Sequence, residues 1–204
     1  NETIFSLYSP DAFSLAFFRL RRKEQDFAIS LITIKLSSLF YRTFVYVVKY
    51  KPRKMNSKEL QLIIKCGETS TVQFKECFPN QDSIAAEMVA MSNARGGMIL
   101  FGIKDKTGEI IGLSYQEIQQ LNSILANIAT NLLRPVIYIQ TETVIVDERS
   151  LLIAHIAEGD NKPYKDLNGI IWTKQGADKR KVMENSEIMR LFQCSGILYA
   201  DEQP

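Results

Sequence analysis

Glu68, Gln73, Lys75 and Asp105 are the side chains whose types and spacing first suggest chemistry. They stand in Glu68-Thr-Ser-Thr-Val-Gln73-Phe74-Lys75 and in Lys104-Asp105. If Thr71–Lys75 is extended, period-two alternation sends Gln73 and Lys75 to the same side, with Glu68 just ahead of the strand. Carboxylates at neighbouring strand ends could hold a divalent metal while Lys75 steers a phosphate. Charged residues at strand ends are more often simply solvated. A second group is Trp172-Thr-Lys174-Gln-Gly176-Ala-Asp-Lys179-Arg180-Lys181. An aromatic side chain among lysines and an arginine on a glycine turn suits phosphate contact with base stacking. The blander reading is a solvated loop with Trp172 in the core.

Other chemistries find little support. The single histidine, His155, lies inside the apolar run Leu151–Ala157, where a structural role is commoner than a catalytic one, and no Gly-x-Ser-x-Gly accompanies it. Cys66, Cys77 and Cys194 are too scattered for a zinc site and suit a reducing cytoplasm. No Gly-x-x-x-x-Gly-Lys-Ser/Thr occurs. Gly96-Gly97 follows an expected helix and precedes an expected strand, the reverse of the order that places phosphate on a helix N-terminus. Its simplest role is backbone geometry.

The elements that must carry these residues follow from pattern. Asn56 caps a short helix with Leu60, Ile63 and Ile64 on one face, and Gly67 ends it. Asp82 or Ser83 starts a second helix through about Asn93, with Ile84, Met88 and Met91 on one face. Met98–Ile103 is nearly all apolar and reads as a central strand. A turn at Asp105–Gly108 leads back through Glu109–Gly112. Ser114-Tyr-Gln-Glu117 is a capping box before Ile118, Leu121, Leu125 and Ile128, and Pro135 stops that helix. Strands are expected near Val136–Val146, Leu151–Ala157 and Ile170–Thr173, and a last helix runs from Asn185 or Ser186 to about Gln193. The order is that of a small α+β or α/β sandwich.

Composition is ordinary for a globular chain of 204 residues, at 46% apolar and 24% charged. The charge is unevenly spread. Residues 1–54 carry 10 Lys/Arg and 4 Asp/Glu, net +6, whereas residues 55–204 carry 15 and 19, net −4. The first segment also holds 11 of the 20 aromatics, none of the 10 glycines and no methionine before Met55. It reads as upstream sequence ahead of a natural start at Met55, or as an aromatic, basic extension packed on the body. Its apolar stretch from Phe27 to Tyr50 is broken by Lys35 and Arg42, which argues against a spanning helix. An interfacial segment is the further alternative.

Taken in order, Glu68–Lys75, Asn93-Ala-Arg-Gly96-Gly97-Met-Ile-Leu-Phe-Gly102-Ile-Lys-Asp105, Gly108 to Gly112, Lys162-Pro163-Tyr164, and Ile171–Arg180 with Glu187–Leu191 resemble the Schlafen-type divergent AlbA domain. The resemblance spans about residues 57–204. It implies an α+β, AlbA-like sandwich of a mixed β-sheet packed with helices. In function it implies nucleic-acid binding, in bacterial members labelled DNA-binding proteins or transcriptional regulators, commonly as dimers. In longer members another module follows, and this chain ends where such a handover would fall. Lys75, Arg95, Lys174, Lys179, Arg180 and Lys181 would then contact phosphate, with Trp172 as a stacking surface and no cofactor. Some Schlafen relatives are metal-dependent endoribonucleases using two glutamates and an aspartate. By position the first glutamate matches Glu68, the second falls on neutral Gln73, and the aspartate falls at Lys104 or Asp105, of which only Asp105 could serve. The alternatives to a non-catalytic DNA-binding domain are therefore a Mg- or Mn-dependent ribonuclease built on Glu68, Asp105 and Lys75, or a dimerisation module.

Overall fold

The computed structural model describes residues 54–77, 80–105 and 107–195. The aromatic, basic segment read above as an extension lies outside them up to residue 53. The described residues belong to one compact unit, Pro52–Pro204. In chain order they form α1 (Ser57–Cys66), β1 (Val72–Lys75), α2 (Gln81–Asn93), β2 (Gly97–Phe101), α3 (Tyr115–Asn131), β3 (Leu133–Arg134), β4 (Ile139–Val146), β5 (Arg149–Ile156), β6 (Lys165–Asp166), β7 (Trp172–Gln175), β8 (Asp178–Lys181) and α4 (Asn185–Cys194). No helix among the described residues is long and apolar enough to cross a membrane.

Local chemistry sets the helix ends. The Asn56 side chain accepts from Glu59 N at 2.8 Å, and Gly67, at φ 80°, closes α1. Asn80 caps α2, which begins at Gln81, one residue before the expected start at Asp82. At α3 the Ser114 side chain and the Glu117 carboxylate satisfy each other's backbone N–H in a full capping box.

The principal sheet is mixed, in the order β1-β2-β5-β4. β1 runs parallel to its neighbour β2, joined by the crossover helix α2, while β2–β5 and β5–β4 are antiparallel. Alternation divides the core into two layers. Val72, Phe74, Leu100, Ile153, Val144 and Val146 face Leu60 and Ile64 of α1. Ile99, Phe101, Leu152 and Ala154 face Met88 and Met91 of α2 and Leu121 and Leu125 of α3. The fold is thus α+β, with α1 on one side of the sheet and α2 and α3 on the other.

Gly96 and Gly97 act on backbone geometry. Gly96 has φ 72°, and a Cβ there would lie 2.7 Å from Glu158 N and Ile156 O. A Cβ on Gly97 would lie 2.5 Å from Thr71 O. Any larger residue would push β2 away from both neighbours.

Three expectations change. The return at Glu109–Gly112 makes a single bridge, Ile103 to Ile110. The β4–β5 hairpin is tighter than expected, because Asp147 and Glu148 both adopt positive φ (48° and 62°) and turn the chain in two residues. The segment read as a basic loop is a β-hairpin, in which Trp172, Thr173, Lys174 and Gln175 pair with Lys181, Arg180, Lys179 and Asp178. Its lysines resemble solvent-facing loop residues, yet alternation holds and Gly176, at φ 61°, supplies the turn.

Candidate functional site

Because Val72 and Phe74 point into the α1 layer, Gln73 and Lys75 emerge on the opposite face, towards α2. The β7–β8 hairpin arrives at the same face. It is anchored by Asn93 at the end of α2, whose Nδ2 donates to Tyr164 O at 2.9 Å and to Trp172 O at 2.8 Å, while Oδ1 accepts from Tyr164 N at 2.7 Å. Antiparallel register places Trp172 with Lys181 and Lys174 with Lys179 on one side of the hairpin.

These elements build a chain of polar contacts around Lys174. Its ammonium donates to Glu87 Oε1 at 2.6 Å, to Gln73 Oε1 at 3.1 Å and to the carbonyl of Ala177. Three acceptors match the three N–H groups of an ammonium. The side chain is 1% exposed and that of Glu87 is 4% exposed. Lys179 Nζ reaches the other Glu87 oxygen at 3.3 Å. Gln73 passes the network on, because its Nε2 donates to Glu68 Oε1, which also accepts from Phe74 N at 2.8 Å. Alongside, Lys75 Nζ lies 2.7 Å from Asp105 Oδ2.

Lys75 and the 174–181 segment therefore do converge on one sheet edge, but much of their charge is committed. Lys75, Lys174 and Lys179 are each paired with a carboxylate, and Arg180 forms a fork with Glu187. That carboxylate holds the Arg180 guanidinium above its ordinary value. Lys174 is too buried to meet a phosphate. Trp172 donates its indole N–H to Asp166 Oδ2 at 2.9 Å and carries Lys181 Nζ 5.5 Å from its ring centroid, so it is half-buried rather than an open stacking face. Arg95 and Lys181 are exposed and make no ion pair among the described residues. Arg95 follows α2 in the chain, and Lys181 lies over Trp172, whose carbonyl accepts from Asn93 in the last turn of that helix.

The same contacts decide whether the surface suits a divalent metal. Glu68 is turned to a backbone N–H and to Gln73, Asp105 Oδ2 to Lys75 while its buried Oδ1 has no hydrogen-bond partner among the described residues, and Glu87 to two lysines. Among the described residues no three His, Cys, Asp or Glu side chains are placed to hold an ion together. Lys104 points to Glu109 at 3.9 Å. The residues present do not fit a metal. His155 is likewise accounted for, 2.9 Å from Glu142 on the α1 side.

Glu87 is the residue that sequence reasoning missed. A signal was present: a carboxylate in the middle of Ile84-Ala-Ala-Glu87-Met-Val-Ala-Met91, on a helix otherwise apolar, must be buried and so must find a cation.

Comparison with known proteins gives this geometry a context. The profile of the Schlafen, AlbA_2 family matches residues 68–184, more than half of the chain. An uncharacterized ATP-binding protein of Ureaplasma parvum is 31% identical over 142 residues, which cover 67% of this chain and 38% of that protein. The crystal structure of a Corynebacterium diphtheriae protein is similar at 24% identity and TM-score 0.46, over 61% of this chain and 27% of the other. The solution structure of the N-terminal domain of a RecG-related protein from Nitrosomonas europaea is similar at 19% identity and TM-score 0.46, over 65% and 97% of the two chains.

Proposed function

The chain belongs to the Schlafen, AlbA_2 family, and we propose that its body is a nucleic-acid-binding domain, DNA-directed and regulatory, that hydrolyses nothing itself. The observation that carries the binding is two exposed cations without an ion pair among the described residues, Arg95 just after α2 in the chain and Lys181 over the Trp172 ring. Lys179 and Arg180 border Lys181, partly exposed and tied to carboxylates. The body is otherwise acidic, and affinity for a polyanion rests on the phosphates neutralised and the counterions released. Two cations at this place mean weak binding with a shallow salt dependence, which a following module or a second copy of the chain would strengthen. The non-catalytic part of the proposal rests on Gln73 and on the lysines that hold Glu87 and Asp105. The exposed, free cysteines Cys66, Cys77 and Cys194 accord with a reducing cytoplasm.

The test is fluorescence anisotropy of labelled duplex DNA, single-stranded DNA and RNA, titrated with the protein over a range of salt. We expect duplex DNA to bind at low salt with a log–log slope near −2, at about 0.9 per neutralised phosphate. No change with any of the three nucleic acids at low salt refutes the proposal. A Mg- or Mn-dependent cut in structured RNA that Glu68→Ala abolishes would replace it with the nuclease reading.

A dimerisation module is the second reading, and β4 favours it. This eight-residue strand ends the sheet, and its outer edge has no strand partner among the described residues. It has no proline or lysine, and its one charge, Glu142, is turned to His155, so it lacks the usual guards against edge pairing. Light scattering that finds only monomer at tens of micromolar removes this reading.

A further inference from the structure

We propose that Lys174 is the resident cation of this carboxylate surface, a tethered ammonium that takes the place of a divalent ion and makes the domain's contact with polyanions independent of metal. The proposal deepens the non-hydrolytic reading above and rests on it.

The coordination is the first support. The Lys174 ammonium is held from three separate elements: Gln73 on β1, Glu87 on α2 and Ala177 in the β7–β8 turn. With 1% of the side chain exposed, no donor is left for water or phosphate. The position is filled.

The charge count is the second. Glu68 and Glu87 contribute two negative charges, Lys174 and Lys179 two positive ones, and Gln73 none. Hard divalent cations are held by an excess of anionic oxygen donors. Glu87 is neutralised by the two lysines bonded to it, whereas Glu68 accepts only from the neutral donors Gln73 Nε2 and Phe74 N, so a divalent ion entering between them would have to displace an ammonium from buried Glu87.

The third is the match between Gln73 and Lys174. Gln73 turns its oxygen to the ammonium and its Nε2 to Glu68. An amide can accept on one side and donate on the other, whereas a carboxylate at position 73 could not donate to Glu68. It would confront Glu68 with a like charge, an arrangement that calls for a bridging cation. Gln73 removes that demand while Lys174 supplies the positive charge.

The experiment uses Mn²⁺ alone as the probe, followed by electron paramagnetic resonance, on the full chain and on the double variant Gln73→Glu/Lys174→Met, with circular dichroism to establish that the variant is folded. The native chain is expected to leave the signal of hydrated Mn²⁺ unchanged. The folded double variant should bind one Mn²⁺ at least ten-fold more tightly. The native chain labelled with ¹⁵N-lysine gives a reading that does not depend on the folding of that variant. The Lys174 ammonium should persist as a slowly exchanging signal that Mn²⁺ does not broaden. The inference is overturned if the native chain binds Mn²⁺ and loses it on Glu68→Gln or Glu87→Gln, if Mn²⁺ broadens the Lys174 signal, or if a folded double variant takes up no ion. Nucleic-acid binding in EDTA separates the two levels. Binding that survives EDTA supports both, binding that EDTA abolishes overturns this inference alone, and no binding in either condition overturns the function proposed above while leaving the Mn²⁺ results to judge Lys174.

Discussion

Glu87 sits on a helix whose residues from Ile84 to Asn93 are all buried, and a carboxylate can remain ionised there only with cations in direct contact. Lys174 and Lys179 meet that need to different degrees, because Lys174 is 1% exposed and Lys179 is 26% exposed. Removing one partner of a buried pair costs about 3–5 kcal/mol, whereas a partly solvated partner is worth about 1 kcal/mol or less. Urea unfolding should therefore show Lys174→Met strongly destabilised and Lys179→Met close to the native chain, and equal midpoints would mean that the ammonium is not held as described. The opposite division of labour is expected in nucleic-acid binding. Arg95→Ala and Lys181→Ala should each reduce the magnitude of the salt slope by about 1 without moving the unfolding midpoint. If neither alters the slope, phosphate is contacted elsewhere.

Elements bring these residues together through local signals that act independently of the site. The α3 capping box is one such signal. Ser114→Ala should lower stability by about 1 kcal/mol. Hydrogen bonds from the Ser114 backbone N–H and hydroxyl hold the Glu117 carboxyl below its ordinary value of 4.5. A carboxyl whose folded pKa is depressed contributes stability that is present above its unfolded value and lost as the pH falls through the folded one. Melting temperatures measured on the acid side should thus fall more steeply for the native chain than for Ser114→Ala, and parallel curves would show that the box is not formed in solution. The β7–β8 hairpin depends on different forces. It is held to α2 by Asn93 and the Glu87 ion pairs, with Trp172 packed against the core layer of α2 and α3 and bonded to Asp166. Its stability is therefore tied to the same charges that define the surface.

At the scale of the whole molecule, the residues described in both core layers run from Met55 onward. A chain of residues 55–204 is expected to unfold in a single cooperative transition with a midpoint close to that of the full chain. A non-cooperative melt of the shorter chain would mean that the core needs residues before Met55. The shorter chain carries a net charge of −4, so long-range attraction to a polyanion is absent and association should be slow as well as weak.

Much of this protein could be read from the order of its residues. Asn56 and Gly67, the Ser114–Glu117 box, the apolar run at Met98–Ile103 and the Gly96-Gly97 pair act within a few positions of themselves, so their neighbours along the chain suffice to interpret them. The motif series from Glu68 to Leu191 likewise carried the family. The state of the surface lay beyond that reach. Lys174 and Glu87 are 87 positions apart, and Lys174 and Gln73 are 101 apart. A lysine offered to phosphate and a lysine spent on a buried carboxylate look the same in a sequence. The difference is an electrostatic one, set by which charges the packing of β1, α2 and the β7–β8 hairpin brings within hydrogen-bonding distance, and only the tertiary structure decides it.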